Sequence, residues 1–364
     1  MRFSIAKEHL LTGLQAVQNV VSSRTTLPIL ANVRIEAEAG QLRFTTTDLD
    51  VGISSTIPAQ IEKEGATTLP VKRLAGIVRE LNSGEVQADI DSKNIASIRC
   101  GQTFFKIHGL PEDEFPALPQ FENAKTFSLQ QADLKDALRK TSYAISTDET
   151  RYVLNGILFS FKDGRLTMVA TDGRRLALLD VEVEFPESEE VEIIVPTKCV
   201  TELSRLLADS GDIRMQVTQN QVSFETPSTR LISKVVEGNY PNYRQVIPSE
   251  TRERVTLERQ MFLAAVHRVS LLASEKTNSV KLIFTKDNLE ITANTPDIGE
   301  ARESIPVVYK GPNLSIAFNP EYLMAPLRAL TEDEVFLDLI DEMSPGVLKI
   351  QKPFLYVLMP MRIT

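Results

Sequence analysis

Three pairs of closely spaced carboxylates, Asp48/Asp50, Asp89/Asp91 and Asp338/Asp341, are the residues of this sequence best suited to hold magnesium or share acid–base work. No P-loop, GxSxG elbow, HExxH helix or GxGxxG turn accompanies any of them, and solvated carboxylates explain them adequately. His9, His108 and His267 and the two cysteines, Cys100 and Cys199, are too few and too scattered for a tight zinc site or a disulfide framework. Both cysteines have apolar neighbours and suit buried hydrophobes, with Cys199, at a helix start, the better candidate for redox sensitivity. The expectation is a protein with no catalytic residue, no metal site and no cofactor.

The elements that would position any site repeat three times. FSIAKEHLLTGLQAV from Phe3, FSLQQADLKDALRKT from Phe127 and VTLERQMFLAAVHRV from Val255 each place a short alternating segment before a helical pattern, at spacings of 124 and 128 residues. A hairpin follows in each copy, with turns predicted at Ala39-Gly40, Asp163-Gly164 and Asp287-Asn288. Thr47-Asp48 and Thr171-Asp172 both fall 44 residues after their repeat start. A second helix opens at Pro70, Pro196 and Pro320, where the missing proline N–H has no helical partner to lose. The spacing predicts helices over 6–24, 71–81, 130–141, 197–207, 258–269 and 321–330, with Pro326 bending or shortening the last. The fold class is α+β, with three modules of two helices and antiparallel strands: 1–124, 125–252 and 253–364.

The chain has 364 residues, 42% of them hydrophobic and 24% charged, which excludes a disordered chain and suits two or three domains. No apolar run reaches membrane-spanning length and MRFSIAKEHLL lacks the features of a signal peptide, so a cytoplasmic protein with no membrane partner is expected. The formal net charge is −9, yet the six predicted helices carry thirteen Lys and Arg against seven Asp and Glu. Basic helices within an acidic chain suit a polyanion held loosely through its phosphates, without sequence reading. A conventional DNA-binding regulator would concentrate base-reading side chains on one recognition helix, and no helix here does so. Modules with open sheet edges at both ends suit closure by self-association.

The segments TLPIL at 26–30, TDLD at 47–50, GLPEDEFP at 109–116, RYVLNGILF at 151–159, VATDGRRLA at 169–177, YPNYRQVIP at 240–248 and MPMR at 359–362 together resemble the bacterial DNA polymerase III beta subunit, the sliding clamp. The resemblance runs in order along essentially the whole chain. It implies the DNA clamp fold: a head-to-tail homodimer closing a ring, with helices lining the hole and sheets outside, and duplex DNA passing through. It implies a processivity factor that tethers the DNA polymerase III catalytic subunit. A pocket shared with the clamp-loader ATPase, other polymerases and repair proteins would take their short linear motifs.

The positions matching that pocket are Leu154, Thr171, Gly173, Arg174, Arg175, Leu176, Pro241, Val246, Asn319, Tyr322, Met359, Pro360, Met361 and Arg362. Leu154, Leu176, Val246 and the methionines would form an adaptable apolar groove, with Arg175, Arg362 and Asn319 as polar anchors. Arg174 stands where relatives often have histidine and Gln245 where they often have arginine, which bears on motif preference. The resemblance places DNA contacts at Arg24 and the loop Ser146, Thr147, Asp148, Glu149 and Arg151, with Lys198 and Arg205 on a lining helix. Arg24 equally suits a helix-end cation stabilised by the dipole. The self-interface would set Phe105 and Ile107 against Leu271 and Leu272, and Lys72 and Arg73 against Asp297, Glu300 and Glu303, with Arg302 diluting the acidic stretch.

Overall fold

The computed structural model describes all residues except 22–26, 274–277, 297 and 363–364. Six α-helices are present among the described residues: α1 (Lys7–Val17), α2 (Val71–Glu80), α3 (Gln131–Thr141), α4 (Thr197–Leu206), α5 (Arg259–Ser270) and α6 (Pro320–Ala329). Their apolar residues recur at helical spacing: α2 buries Val71, Leu74, Ala75 and Val78, and α5 buries Phe262, Ala265, Val266 and Val269. The proline starts hold, since Pro70 and Pro196 end strands and the helix follows at once, while Pro320 is itself the first helical residue. The first helix ends at Val17 rather than 24, closing on a Gln18 N–H bonded to Leu14 O at 3.0 Å.

Each repeat carries the expected hairpin. Ala39-Gly40 and Asp163-Gly164 close two-residue turns with both central residues at positive φ, the geometry that matches strand twist. The third turn lies one residue earlier than predicted, at Lys286-Asp287. Asp287 takes the left-handed position at φ 53°, whereas Asn288 already pairs with Thr285 and Pro306 in the strands.

The chain forms two compact units, which cut across the sequence modules. The unit of Met1–Ala132 and Lys198–Val235 contains an eight-stranded antiparallel sheet in which Val51–Pro58 of the first module pairs with Thr229–Lys234 of the second. It also contains a five-stranded sheet ending at Thr103–His108. The unit of Asp133–Thr197 and Val236–Thr364 repeats the scheme: Arg175–Glu182 pairs with Phe354–Leu358 in an eight-stranded sheet. A four-stranded sheet there ends at Gly299–Pro306.

None of the three carboxylate pairs is free. Asp50 binds Lys234, Asp89 binds Arg2, and Asp91 and Asp341 accept backbone N–H bonds in turns. Asp338, with 2% of its side chain exposed, is clamped by Arg254 at 2.6 Å and Lys349 at 2.9 Å. Burial opposes its charge, but the two cations prevail and hold its carboxyl below the usual range. Its contribution is therefore present above the unfolded carboxylate pKa of about 4 and lost as pH falls through the depressed folded value. Asp338→Asn is expected to lower stability by about 2–4 kcal/mol at pH 7. Urea unfolding at several pH values checks this, and a gap that does not close in acid would refute the assignment.

The cysteines are buried, and desolvation pushes the Cys199 thiol up to about 12, so this thiol is not the reactive exception its helix-start position suggested. No helix among the described residues is long and apolar enough to cross a membrane.

Candidate functional site

In the second unit, the strand Arg165–Thr171 turns back into Arg175–Glu182 through Asp172, Gly173 and Arg174. Thr171 Oγ1 donates to Arg175 O at 2.6 Å and accepts the Gly173 N–H at 3.1 Å. Asp172 Oδ1 accepts the N–H groups of Arg174 and Arg175 at 2.9 and 3.0 Å. Gly173 has φ +83°, a left-handed position that glycine adopts without strain, and the Arg151 guanidinium lies over it. The second Asp172 oxygen takes Arg175 Nε at 3.0 Å, and the guanidinium carbon then lies 4.4 Å from the centre of the Tyr322 ring. Burial works against the Arg175 charge, but Tyr356 and Asp172 outweigh it and raise its pKa.

Tyr322 is held in the first turn of α6, where Asn319 Oδ1 accepts the Glu321 and Tyr322 N–H groups at 2.9 and 3.3 Å. That oxygen is thus a helix cap rather than a free anchor. The C-terminal segment is drawn alongside: Met359 N–H donates to Arg174 O at 3.0 Å and Met361 N–H to Ala317 O at 2.8 Å. Met359 is exposed, Pro360 and Met361 half-buried, and Arg362 exposed.

Leu154 and Leu176 are buried. Leu176 packs with Leu158, Val169, Ile194, Tyr243 and Val357, and Val153, Tyr240 and Ile247 lie against that cluster. Pro241 and Val246 are exposed on the segment that Tyr243 anchors. Tyr240, Tyr243, Val153 and Tyr356 escaped the sequence reading. The first two stand inside the quoted YPNYRQVIP, where their aromatic spacing was the available signal. Arg174 and Gln245 are both exposed.

The first module builds the same turn. Thr47 Oγ1 donates to Val51 O and accepts the Leu49 N–H, both at 3.0 Å, and Asp48 Oδ1 accepts the Asp50 and Val51 N–H groups at 3.1 and 2.8 Å. Its side chains differ: Val51 replaces Arg175, and Lys198, 124 residues before Tyr322, replaces the tyrosine. The Lys198 ammonium bonds Asp48 and, at 2.6 Å, Val20 O. An inward ion pair therefore stands where the second turn has a cation stacked on an aromatic ring.

Among the candidate DNA contacts, Ser146 is buried and accepts the Asp148 N–H at 3.1 Å, while Thr147 and Glu149 are exposed. Asp148 binds Arg151 at 3.0 Å and Thr150 Oγ1 at 2.6 Å, and these bonds hold its carboxyl below the usual range. Arg205 pairs with Glu202 at 2.5 Å while its side chain stays 56% exposed. Lys198 points into its own unit as described. Two further helix cations that charge counting includes, Lys140 and Arg259, are buried, at 1% and 8% exposure. Arg24 and Asp297 lie outside the described residues.

At the terminal sheets the edge strand Thr103–His108 alternates between more buried and exposed side chains. Ile107 is buried and Phe105 partly so, while Phe104 is 52% exposed beneath Arg99. Leu271 is exposed and Leu272 half-buried. Glu303 is held by Arg268 at 2.5 Å and Glu300 by Arg302 at 2.5 Å, whereas Lys72 and Arg73 are exposed.

The chain matches three family profiles in succession: the N-terminal domain of the DNA polymerase III beta subunit over residues 1–119, its central domain over 128–242 and its C-terminal domain over 244–362. A beta sliding clamp from Chlamydia muridarum is 33% identical, covering 100% of this chain and 99% of the relative. One from Bacillus subtilis is 33% identical, covering 96% of each. A solved sliding clamp from Pseudomonas aeruginosa bound to griselimycin superposes with a TM-score of 0.96 at 33% identity, and one from Bacillus subtilis with 0.95 at 32%, each covering 100% of both chains. The chain therefore belongs to the DNA polymerase III beta subunit family, the non-catalytic DNA sliding clamps that give the replicative polymerase its processivity.

Proposed function

We propose that two copies of this chain close head to tail into a ring around duplex DNA, the free edge Thr103–His108 of one copy pairing with the free edge Gly299–Pro306 of the other. The observation that carries this is the pair of terminal sheets, each ending on an edge strand with unpaired backbone groups and an exposed apolar side chain nearby, Phe104 or Leu271. Lys72 and Arg73 then meet the acidic segment containing Asp297, Glu300 and Glu303. Domains 1–124, 125–252 and 253–364 form each half. DNA contacts come from Arg24, the 146–151 loop and Arg205, weakly enough that enclosure rather than affinity retains the duplex. The ring works in the cytoplasm, at the nucleoid.

The groove between the Thr171–Arg175 turn, Tyr322 and Met359–Arg362 is the site for the linear motifs of the DNA polymerase III catalytic subunit, the clamp-loader ATPase, other polymerases and repair proteins. An exposed methionine beside a stacked arginine suits varied apolar peptides. Light scattering across a dilution series tests the ring, with a mass near twice the 40.6 kDa chain expected. A persistent monomer would overturn closure, and Phe104→Asp is expected to shift the wild-type dimer to monomer.

A further inference from the structure

We propose that the Tyr356 hydroxyl is the positioning group of the partner groove, joining the strand that carries Arg175 to the helix that carries Tyr322 through a hydrogen bond that Pro326 makes available. This rests on the groove being the partner site. Pro326 stands inside α6, and the helix continues past it to Ala329. Having no N–H, it leaves the carbonyl of Tyr322, four residues earlier, without its helical donor. Tyr356, 1% exposed on the strand Phe354–Leu358, donates its hydroxyl to that carbonyl at 2.8 Å. The Arg175 guanidinium lies near enough to the same hydroxyl to interact with it electrostatically. Tyr356 thus bonds the helix that carries one partner of the cation–π stack while its own strand pairs with the strand that carries the other. The Tyr143 ring packs at 5.7 Å from that of Tyr356, but its own hydroxyl is buried without a partner and does not substitute. The helix-breaking residue is here part of the site: it vacates an acceptor that this tyrosine fills.

The test uses the full chain as wild type, Tyr356→Phe, Pro326→Ala and the double variant. Binding to immobilised DNA polymerase III catalytic subunit is measured well below the unfolding temperature. In parallel, the Arg175 Nε–Hε resonance of the free protein reports its position over the Tyr322 ring. Tyr356→Phe is expected to weaken binding about tenfold and to move the Arg175 resonance toward that of an exposed arginine. Pro326→Ala alone should bind within about twofold of wild type, and the double variant should stay within about twofold of Tyr356→Phe, because the introduced alanine N–H satisfies the Tyr322 carbonyl inside the helix without tying the helix to the strand. Wild-type binding by Tyr356→Phe, a binding loss with the resonance unmoved, or a double variant that recovers wild-type binding would each overturn the proposal. Equal binding by wild type and Arg175→Ala would instead remove the groove as the partner site, and the resonance would still decide whether Tyr356 holds Arg175 in place.

Discussion

Loaded on closed circular DNA, this protein is expected to stay bound through moderate salt and to leave as soon as the circle is cut. Contacts through phosphates alone behave differently: with about four of them, doubling the salt weakens binding about tenfold on circles and linear molecules alike. The side chains in place argue for so few contacts. Lys198 is directed to Asp48, Arg151 to Asp148 and Arg205 to Glu202, so each cation must share its charge with a carboxylate before it meets a phosphate. Retention must then come from topology, and linearisation should shorten the residence time by about a hundredfold or more. Gel filtration of labelled protein on nicked circles before and after restriction digestion checks this. Equal release from both forms would eliminate enclosure.

Deleting Met359 to Thr364 is expected to lower polymerase affinity about a hundredfold or more while leaving the dimer mass unchanged. The deletion removes the exposed Met359 side chain and the two backbone bonds, to Arg174 O and Ala317 O, that keep the segment beside the turn. The edges proposed for self-association lie on Thr103–His108 and Gly299–Pro306, outside the deleted residues. Met359→Asp keeps both backbone bonds and should reproduce most of the loss by placing a charge in the apolar groove. Undiminished polymerase binding by both variants would move the partner site elsewhere.

The threefold repeat was legible because its signals are local. Turn residues, helix-start prolines and period-two or helical alternation depend on neighbours in sequence, and six helices follow at the expected places. The Thr-Asp turns at 47 and 171 show how far this reaches, since equal spacing corresponds to the same set of hydrogen bonds in both modules. The third hairpin slipped by one residue because Asp and Asn both tolerate the left-handed position, and only pairing to Pro306 decided between them.

Along the edge strand Thr103–His108 apolar residues fall on both faces, with Phe105 and Ile107 the more buried and Phe104 exposed. Alternation separates two faces but does not say which is covered when both carry apolar residues. Charge counting likewise found the basic helices but not that Lys140 reaches Glu332 or Arg259 the carbonyls of Leu327 and Glu332.

The sequence by itself therefore determined the modules, their helices and turns, and, through the ordered motifs, the family. Only the tertiary structure decided which cations stay available, which leucines are buried rather than exposed, and which group meets the carbonyl that Pro326 leaves without a helical donor. Those outcomes depend on hydrogen bonds and burial between residues far apart in the chain, such as Tyr322 with Tyr356 and Arg175 with Leu358, and no local pattern encodes such a pairing.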